Sequence, residues 1–245
     1  MNLLEVQGLR KTYPAFRLED VSFSVPEGAV MGLIGRNGAG KSTTLKSILG
    51  LVHPDAGRVE MFGREFSENE RYIKENIGVV LGGIDFYPKK KVRTITDVTC
   101  RFYSNWQEEK YRHYLDLFAI DENKRVDQLS SGMRVKYLLA LALSHNARLL
   151  ILDEPTSGLD PVSRDELTEL LRRIAADGTR SVLFSTHITS DLEKCASHIT
   201  FIQEGRLQRS DTLTGFMAHY ADLGSTLEEI IVAAERRPYD ADAII

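Results

Sequence analysis

Apolar residues fall into short blocks of changing period, and the changes predict an α/β fold. Leu3 to Leu9 reads as a β-strand, and Val21, Phe23 and Val25 share one face of a second. Pro26-Glu27-Gly28 supplies a turn. Ala29-Val30-Met31-Gly32-Leu33-Ile34 is then apolar throughout, as a strand buried on both faces should be. Leu45, Ile48 and Leu49 follow at helical spacing and stop at Gly50. A turn at His53-Pro54-Asp55-Ala56-Gly57 leads into the half-exposed alternation of Arg58 to Gly63, and Ile77 to Leu81 reads as another buried strand.

From about Asp85 to about Asn146 the period is helical. Tyr111, Tyr114, Leu115 and Phe118 recur at i, i+3, i+4 and i+7, and Leu138 to Ser144 is strongly apolar. Strands then return. Arg148 to Asp153 and Ser181 to Ser185 are short enough for central parallel strands, and His198 to Ile202 reads as the last strand. Between them Asp160-Pro161 opens a helix that buries Leu167, Leu170, Leu171 and Ile174 and ends at Asp177-Gly178. The remainder is helical in pattern and carries no evident chemistry.

Composition adds exclusions. The 245 residues, 42% apolar and 27% charged, suit one or two ordinary globular domains. A net charge of −4 argues against a protein that coats nucleic acid. No apolar run approaches the ~18 residues of a membrane span, and Met1 to Val6 lacks the pattern of a signal peptide. Cys100 and Cys195 make neither a disulfide framework nor a metal cluster and read as reduced thiols in a cytosolic protein.

The chemistry starts at Gly35-Arg36-Asn37-Gly38-Ala39-Gly40-Lys41-Ser42, which matches the phosphate-binding P-loop pattern G-x-x-x-x-G-K-[ST]. Gly35, Gly38 and Gly40 let the backbone curl with its N–H groups inward, a nest for phosphate oxygens. A helix starting near Gly40 adds the positive end of its dipole. Lys41 would reach the β- and γ-phosphates, and the Ser42 hydroxyl would take one Mg²⁺ position. Strand, loop and helix come in the required order, so the expected ligand is a nucleoside triphosphate with Mg²⁺. Asp153-Glu154 ends a strand where α/β proteins place ligands. Asp153 would hold Mg²⁺ through water, and Glu154 would orient and deprotonate the attacking water. The pair could also simply cap the strand before Pro155.

Three further stretches complete the pattern: Leu129-Ser130-Ser131-Gly132-Met133, Ser157-Gly158-Leu159-Asp160 and Ser185-Thr186-His187. With them the chain, from about Leu3 to Arg206, resembles the nucleotide-binding subunit of the ATP-binding cassette (ABC) family. The resemblance implies an α/β P-loop core with a parallel sheet, an N-terminal antiparallel β subdomain and an inserted helical subdomain. It makes residues 1–245 one domain: core 1–84 and 147–210, helical signature subdomain 85–146, C-terminal helical tail 211–245. It implies ATP and Mg²⁺ as ligands, bound by Gly35, Asn37, Gly38, Gly40, Lys41, Ser42 and Thr43. It makes Tyr13 the aromatic that stacks on adenine, and Ser130 and Gly132 part of the signature that completes a second subunit's site. Ser130 and Ser131 also suit a plain helix cap. Asp160 resembles the loop aspartate at the dimer interface and is equally sensible as an N-cap. His187 matches the switch histidine at the γ-phosphate. Catalysis is thus expected from Glu154, His187 and Lys41, and metal binding from Ser42 and Asp153.

Two positions depart from the family pattern. Gly82, followed by Gly83, stands where a glutamine usually ends the strand, which suggests a backbone or water substitute for its metal sensing. Ser131 and Met133 replace the usual glycine and glutamine of the signature. The expected role is the ATPase of an exporter-like transporter of the multidrug or antibiotic-peptide type, paired as a homodimer or heterodimer. Its partners would be separate transmembrane permease subunits, with the chain cytoplasmic and peripheral on the inner face of the membrane through them. Asp85-Phe86-Tyr87-Pro88 is where the family docks that partner, and Lys89-Lys90-Lys91 with Arg93 suits either anionic headgroups or a solvated face. The alternatives are a soluble ABC ATPase acting on DNA or ribosomes, and a pair that transmits force without moving solute.

Overall fold

The computed structural model describes residues 1–81 and 87–236. Gly82, Gly83, Asp85 and Phe86 therefore lie outside the described residues, as does the end of the tail. The strands are β1 (Asn2–Tyr13), β2 (Phe16–Pro26), β3 (Val30–Ile34), β4 (Ala56–Met61), β5 (Arg64–Glu65), β6 (Ile77–Val80), β7 (Leu149–Asp153), β8 (Ser181–Thr186), β9 (His198–Gln203) and β10 (Arg206–Thr212). The helices are α1 (Lys41–Ile48), α2 (Phe66–Asn76), α3 (Val92–Thr99), α4 (Glu108–Leu117), α5 (Ser131–Ser144), α6 (Pro161–Ala175), α7 (Thr189–Cys195), α8 (Leu213–His219) and α9 (Leu227–Glu235). Among the described residues no helix is long and apolar enough to cross a membrane.

The described strands form one mixed sheet in the order β5-β4-β1-β2-β10-β9-β3-β8-β7-β6. Its N-terminal part is antiparallel, β1 pairing with both β2 and β4. Its core is parallel, β3 with β8 and β9, and β7 with β8 and β6. The all-apolar strands divide their residues between two cores by the period of two. Met31, Leu33, Ile151 and Leu183 join the core that holds β1, β2 and Leu45 and Ile48 of α1. Val30, Ile34, Leu150, Leu152, Val182 and Phe184 join the opposite one, with Leu139 and Leu143 of α5 and Leu167 and Leu171 of α6.

The helical segment has a third core: Val92, Ile95, Tyr111, Leu115, Ile120, Val126, Leu129, Tyr137 and Leu141. The Thr96 hydroxyl joins the Tyr111 and Tyr137 hydroxyls at 2.8 and 2.9 Å, so the buried polar groups there are paired. Tyr114 and Phe118 of the expected stripe are only partly buried and stack on one another 6.0 Å apart. Helix α5 contributes to both neighbouring cores and joins the helical segment to the sheet.

Two expectations need correction. His198 to Ile202 is not the last strand, because β10 turns back antiparallel to β9 through Glu204-Gly205. Both turn residues have positive φ, 49° and 78°, the geometry of a two-residue hairpin turn. Leu170 is only partly buried, whereas Leu167, Leu171 and Ile174 are buried as expected. Helix α2 and strand β5 come from a segment with no clear period: of α2 only Ile73 is buried.

Gly78 of β6 packs closely against α5. A Cβ there would lie 2.4 Å from the Ala142 Cβ and 2.5 Å from Leu150 Cδ2. Gly78→Val should therefore overpack the second core and cost about 1–3 kcal/mol. Thermal melts followed by circular dichroism should show the lower Tm; an unchanged melt would contradict this packing.

Candidate nucleotide-binding site

Strand register brings the site together. Ile34 of β3 lies opposite Thr186 of β8, and Ser185 of β8 lies opposite Asp153 of β7. The carboxyl ends of the three strands are therefore level, and the segments that follow them meet in one place.

At β3 the chain curls through the P-loop into α1, with Gly40 as N-cap at φ +115°, a conformation few other residues adopt. Gly35 sits beneath the loop, where a Cβ would come 2.1 Å from the Ile202 carbonyl. Lys41 is buried, and its Nζ donates to the carbonyls of Gly35 at 2.6 Å and Arg36 at 3.2 Å. The same Nζ lies 3.4 Å from Glu154 Oε1. The other carboxylate oxygen of Glu154 meets His187 Nδ1 at 2.8 Å. Glu154 thus stands between the P-loop lysine and the histidine after β8, on a backbone at φ +50° that is strained for a non-glycine residue.

Asp153 is buried beside it. Its Oδ1 accepts from Ser42 Oγ at 3.1 Å and from Ser185 Oγ at 2.6 Å. Ser185 Oγ in turn accepts the Glu154 N–H at 2.9 Å. Among the described residues no cation pairs with the Asp153 carboxylate, so a buried acid is met by hydroxyls alone. Two hydroxyls and a carboxylate are hard oxygen donors. This donor set fits a Mg²⁺ ion.

These groups open onto a cleft of about 600 Å³, lined by Asn37, Gly38, Gly40, Lys41, Ser42, Thr43, Glu154, Ser157 and His187, with Ala15 and Phe16 at its apolar end. Tyr13 is not part of that lining. It is partly exposed at the end of β1, its ring 6.5 Å from that of Phe16. Phe16 and Ser185 are thus site residues that the motif reading did not assign; both sit beside assigned positions, one three residues after Tyr13 and one two before His187.

Ser130 and Gly132 do not join this cleft. Ser130 caps α5, its Oγ accepting the Met133 N–H at 3.2 Å, and Ser131 Oγ donates to the Gly158 carbonyl. Gly132 is buried where a Cβ would come 3.3 Å from Ser163. Asp160 accepts the N–H groups of Val162 and Ser163, each at 3.0 Å, and the Ser163 hydroxyl at 2.6 Å. The Ser163 bond holds the Asp160 carboxyl below its usual pKa. Asp160 is therefore an N-cap, and its loop is strapped to the start of α5.

The sequence profile of the ABC transporter family matches residues 18–157. The chain belongs to the ABC transporter family. It is an ATP-binding ATPase subunit of that family. A bacitracin transport ATP-binding protein of Bacillus licheniformis is 32% identical over 84% of this chain and 68% of its own length. A Nod factor export ATP-binding protein of Burkholderia orbicola is 39% identical over 76% of this chain, which spans 62% of that relative. Among solved structures, the ATP-binding subunit of an ABC transporter superposes with a TM-score of 0.84 at 28% identity, covering 96% of this chain and all of that one. A dimeric ATP-binding cassette in a post-hydrolysis state with ADP and phosphate shares the fold, with a TM-score of 0.75 at 21% identity and coverage of 86% and 98%.

Ser185 ties the two acidic residues together. Ser185→Ala should leave the Glu154 N–H without its side-chain partner and free Asp153 to turn, lowering the ATPase kcat about tenfold, as loss of one such bond would. Steady-state phosphate release checks this, and a kcat within twofold of the parent would show that the bridge does not matter.

Proposed function

We propose that this chain hydrolyses ATP as one half of a dimer and thereby drives export through separate membrane-spanning subunits. The observation that carries the reading is the Glu154 carboxylate, held between Lys41 and His187 at the mouth of the P-loop cleft. Lys41 would shift onto the β- and γ-phosphates, leaving Glu154 to take a proton from the attacking water. His187, oriented by Glu154, would contact the γ-phosphate. Ala15 and Phe16 form the apolar end where the purine ring would lie. Ser42 and Asp153 would hold Mg²⁺, which neutralises phosphate charge when bound.

In this reading the site is completed from outside. Ser130 and Gly132 lie away from the cleft of their own chain, at the N-terminal end of α5, which favours an anion. A second subunit would present that end to the γ-phosphate, so ATP binding closes the dimer and hydrolysis lets it open. The names of the bacitracin and Nod factor relatives support transport, and export in particular. The chain would then work at the inner face of the membrane, attached through its permease partner. Residues 85–146 would be the helical signature subdomain in that assembly.

Glu154→Gln should bind ATP, lose roughly a hundredfold or more in kcat and accumulate as an ATP-bound dimer on size-exclusion chromatography. Normal turnover would remove Glu154 as the base. Captured with ATP and Mg²⁺ from solubilised membranes, the same variant should bring down a multi-span protein in near-stoichiometric amount. Recovery of ribosomes or DNA instead would overturn the transport role and keep the ATPase.

A further inference from the structure

Helix α9 ends against the P-loop. Its first turn carries a capping box of Thr226 and Glu229, and Glu193 Oε1 accepts the Leu227 N–H at 2.7 Å. Leu227 and Ile230 are fully buried in the second core. At the other end Gln203 Nε2, on β9, donates to the Ala234 carbonyl at 3.1 Å. The helix is thus held at both ends, and its last residue is delivered to a definite place. There Glu235 Oε1 accepts the backbone N–H of Arg36, second residue of the P-loop, at 3.0 Å. Glu235 Oε2 lies 3.6 Å from Arg36 Nε.

The environment of this acid is uneven. The Glu235 side chain is 6% exposed, whereas that of Arg36 is 64% exposed. Its hydrogen bond among the described residues is to that one loop amide, and its charge is balanced by the solvated Arg36 guanidinium and, more distantly, by Lys41. Burial raises the Glu235 pKa above the ordinary value. A buried carboxylate costs free energy that packing alone does not recover. It sits beside the P-loop, a loop suited to anions.

We propose that Glu235 is a positioning residue of the P-loop: it holds the loop's entry through the Arg36 N–H while its charge opposes the incoming phosphates. The C-terminal helix thereby sets ATP affinity. The inference rests on the cleft being the ATP site. Two substitutions in the full chain separate its parts. Glu235→Gln keeps an oxygen that can accept the Arg36 N–H and loses the charge. It should tighten binding of a fluorescent ATP analogue about three- to tenfold. Glu235→Ala removes the acceptor, orphans a buried N–H and should weaken binding about tenfold. Opposite shifts support the proposal. Shifts of the same sign, or none, overturn it. If the alanine variant fails to fold in a thermal melt, the sign of the glutamine shift decides alone. Lys41→Ala run in parallel separates the two ideas. If it loses ATP while both Glu235 variants bind as the parent does, only the role of Glu235 falls. If it too binds normally, the cleft itself is misassigned.

Discussion

The parallel register of β3, β8 and β7 is the constraint on which the site depends. A P-loop by itself offers amides and one lysine. It becomes a site for chemistry only when acidic groups from another strand arrive at the same height. Here β8 lies between β3 and β7, and the pairing of Ile34 with Thr186 and of Ser185 with Asp153 sets that height. A slip of one residue in β7 would turn Asp153 to the other face of the sheet. The all-apolar strands resist such a slip. Their alternate residues fill two different cores, so a shift would expose neither face to water yet misfit both.

Within that frame, electrostatics holds the groups in place. Glu154 is satisfied by two cationic or potentially cationic partners, Lys41 at the start of α1 and His187 just after β8. Asp153 is satisfied by hydroxyls. Two adjacent acids are therefore given unlike surroundings, as the proposed division between a base and a metal ligand requires. The strained backbone at Glu154 is the local cost of aiming that side chain into the cleft.

Most of this was legible because the residues that matter occur in short runs with a mechanism attached. Gly35 to Ser42, Asp153-Glu154 and His187 could be read from order and spacing, and the structure brings them to one cleft. What was hidden lacked either a period or a local partner. Helix α2 is polar around a single buried residue, and β10 has no fully buried residue, so hydrophobic pattern says little of either. The Glu204-Gly205 turn was the available signal for β10. Phe16 pairs with Tyr13 across the β1–β2 hairpin and offers the same apolar chemistry, and of the two Phe16 lines the cleft. The contact of Glu235 with Arg36 spans 199 residues and belongs to no motif. The tail that looked empty of chemistry in fact reaches the P-loop.

The two faces of the molecule are joined mechanically by α5 and the loop before α6. Helix α5 packs Leu139 and Leu143 into the sheet's second core and Tyr137 and Leu141 into the helical core. Its first turn is bound to the 157–160 loop through Ser131 and Gly158, and Gly132 lies against Ser163. That loop follows Glu154 directly, the Ser157 N–H donating to the Glu154 carbonyl at 3.1 Å. A run of contacts therefore links Glu154, through the 157–160 loop, to the start of α5. The end of α5 that would meet a second subunit's phosphate is, on this geometry, mechanically coupled to the base of its own cleft. In the proposed dimer, each signature would thus be held by the loop that follows its own chain's acid.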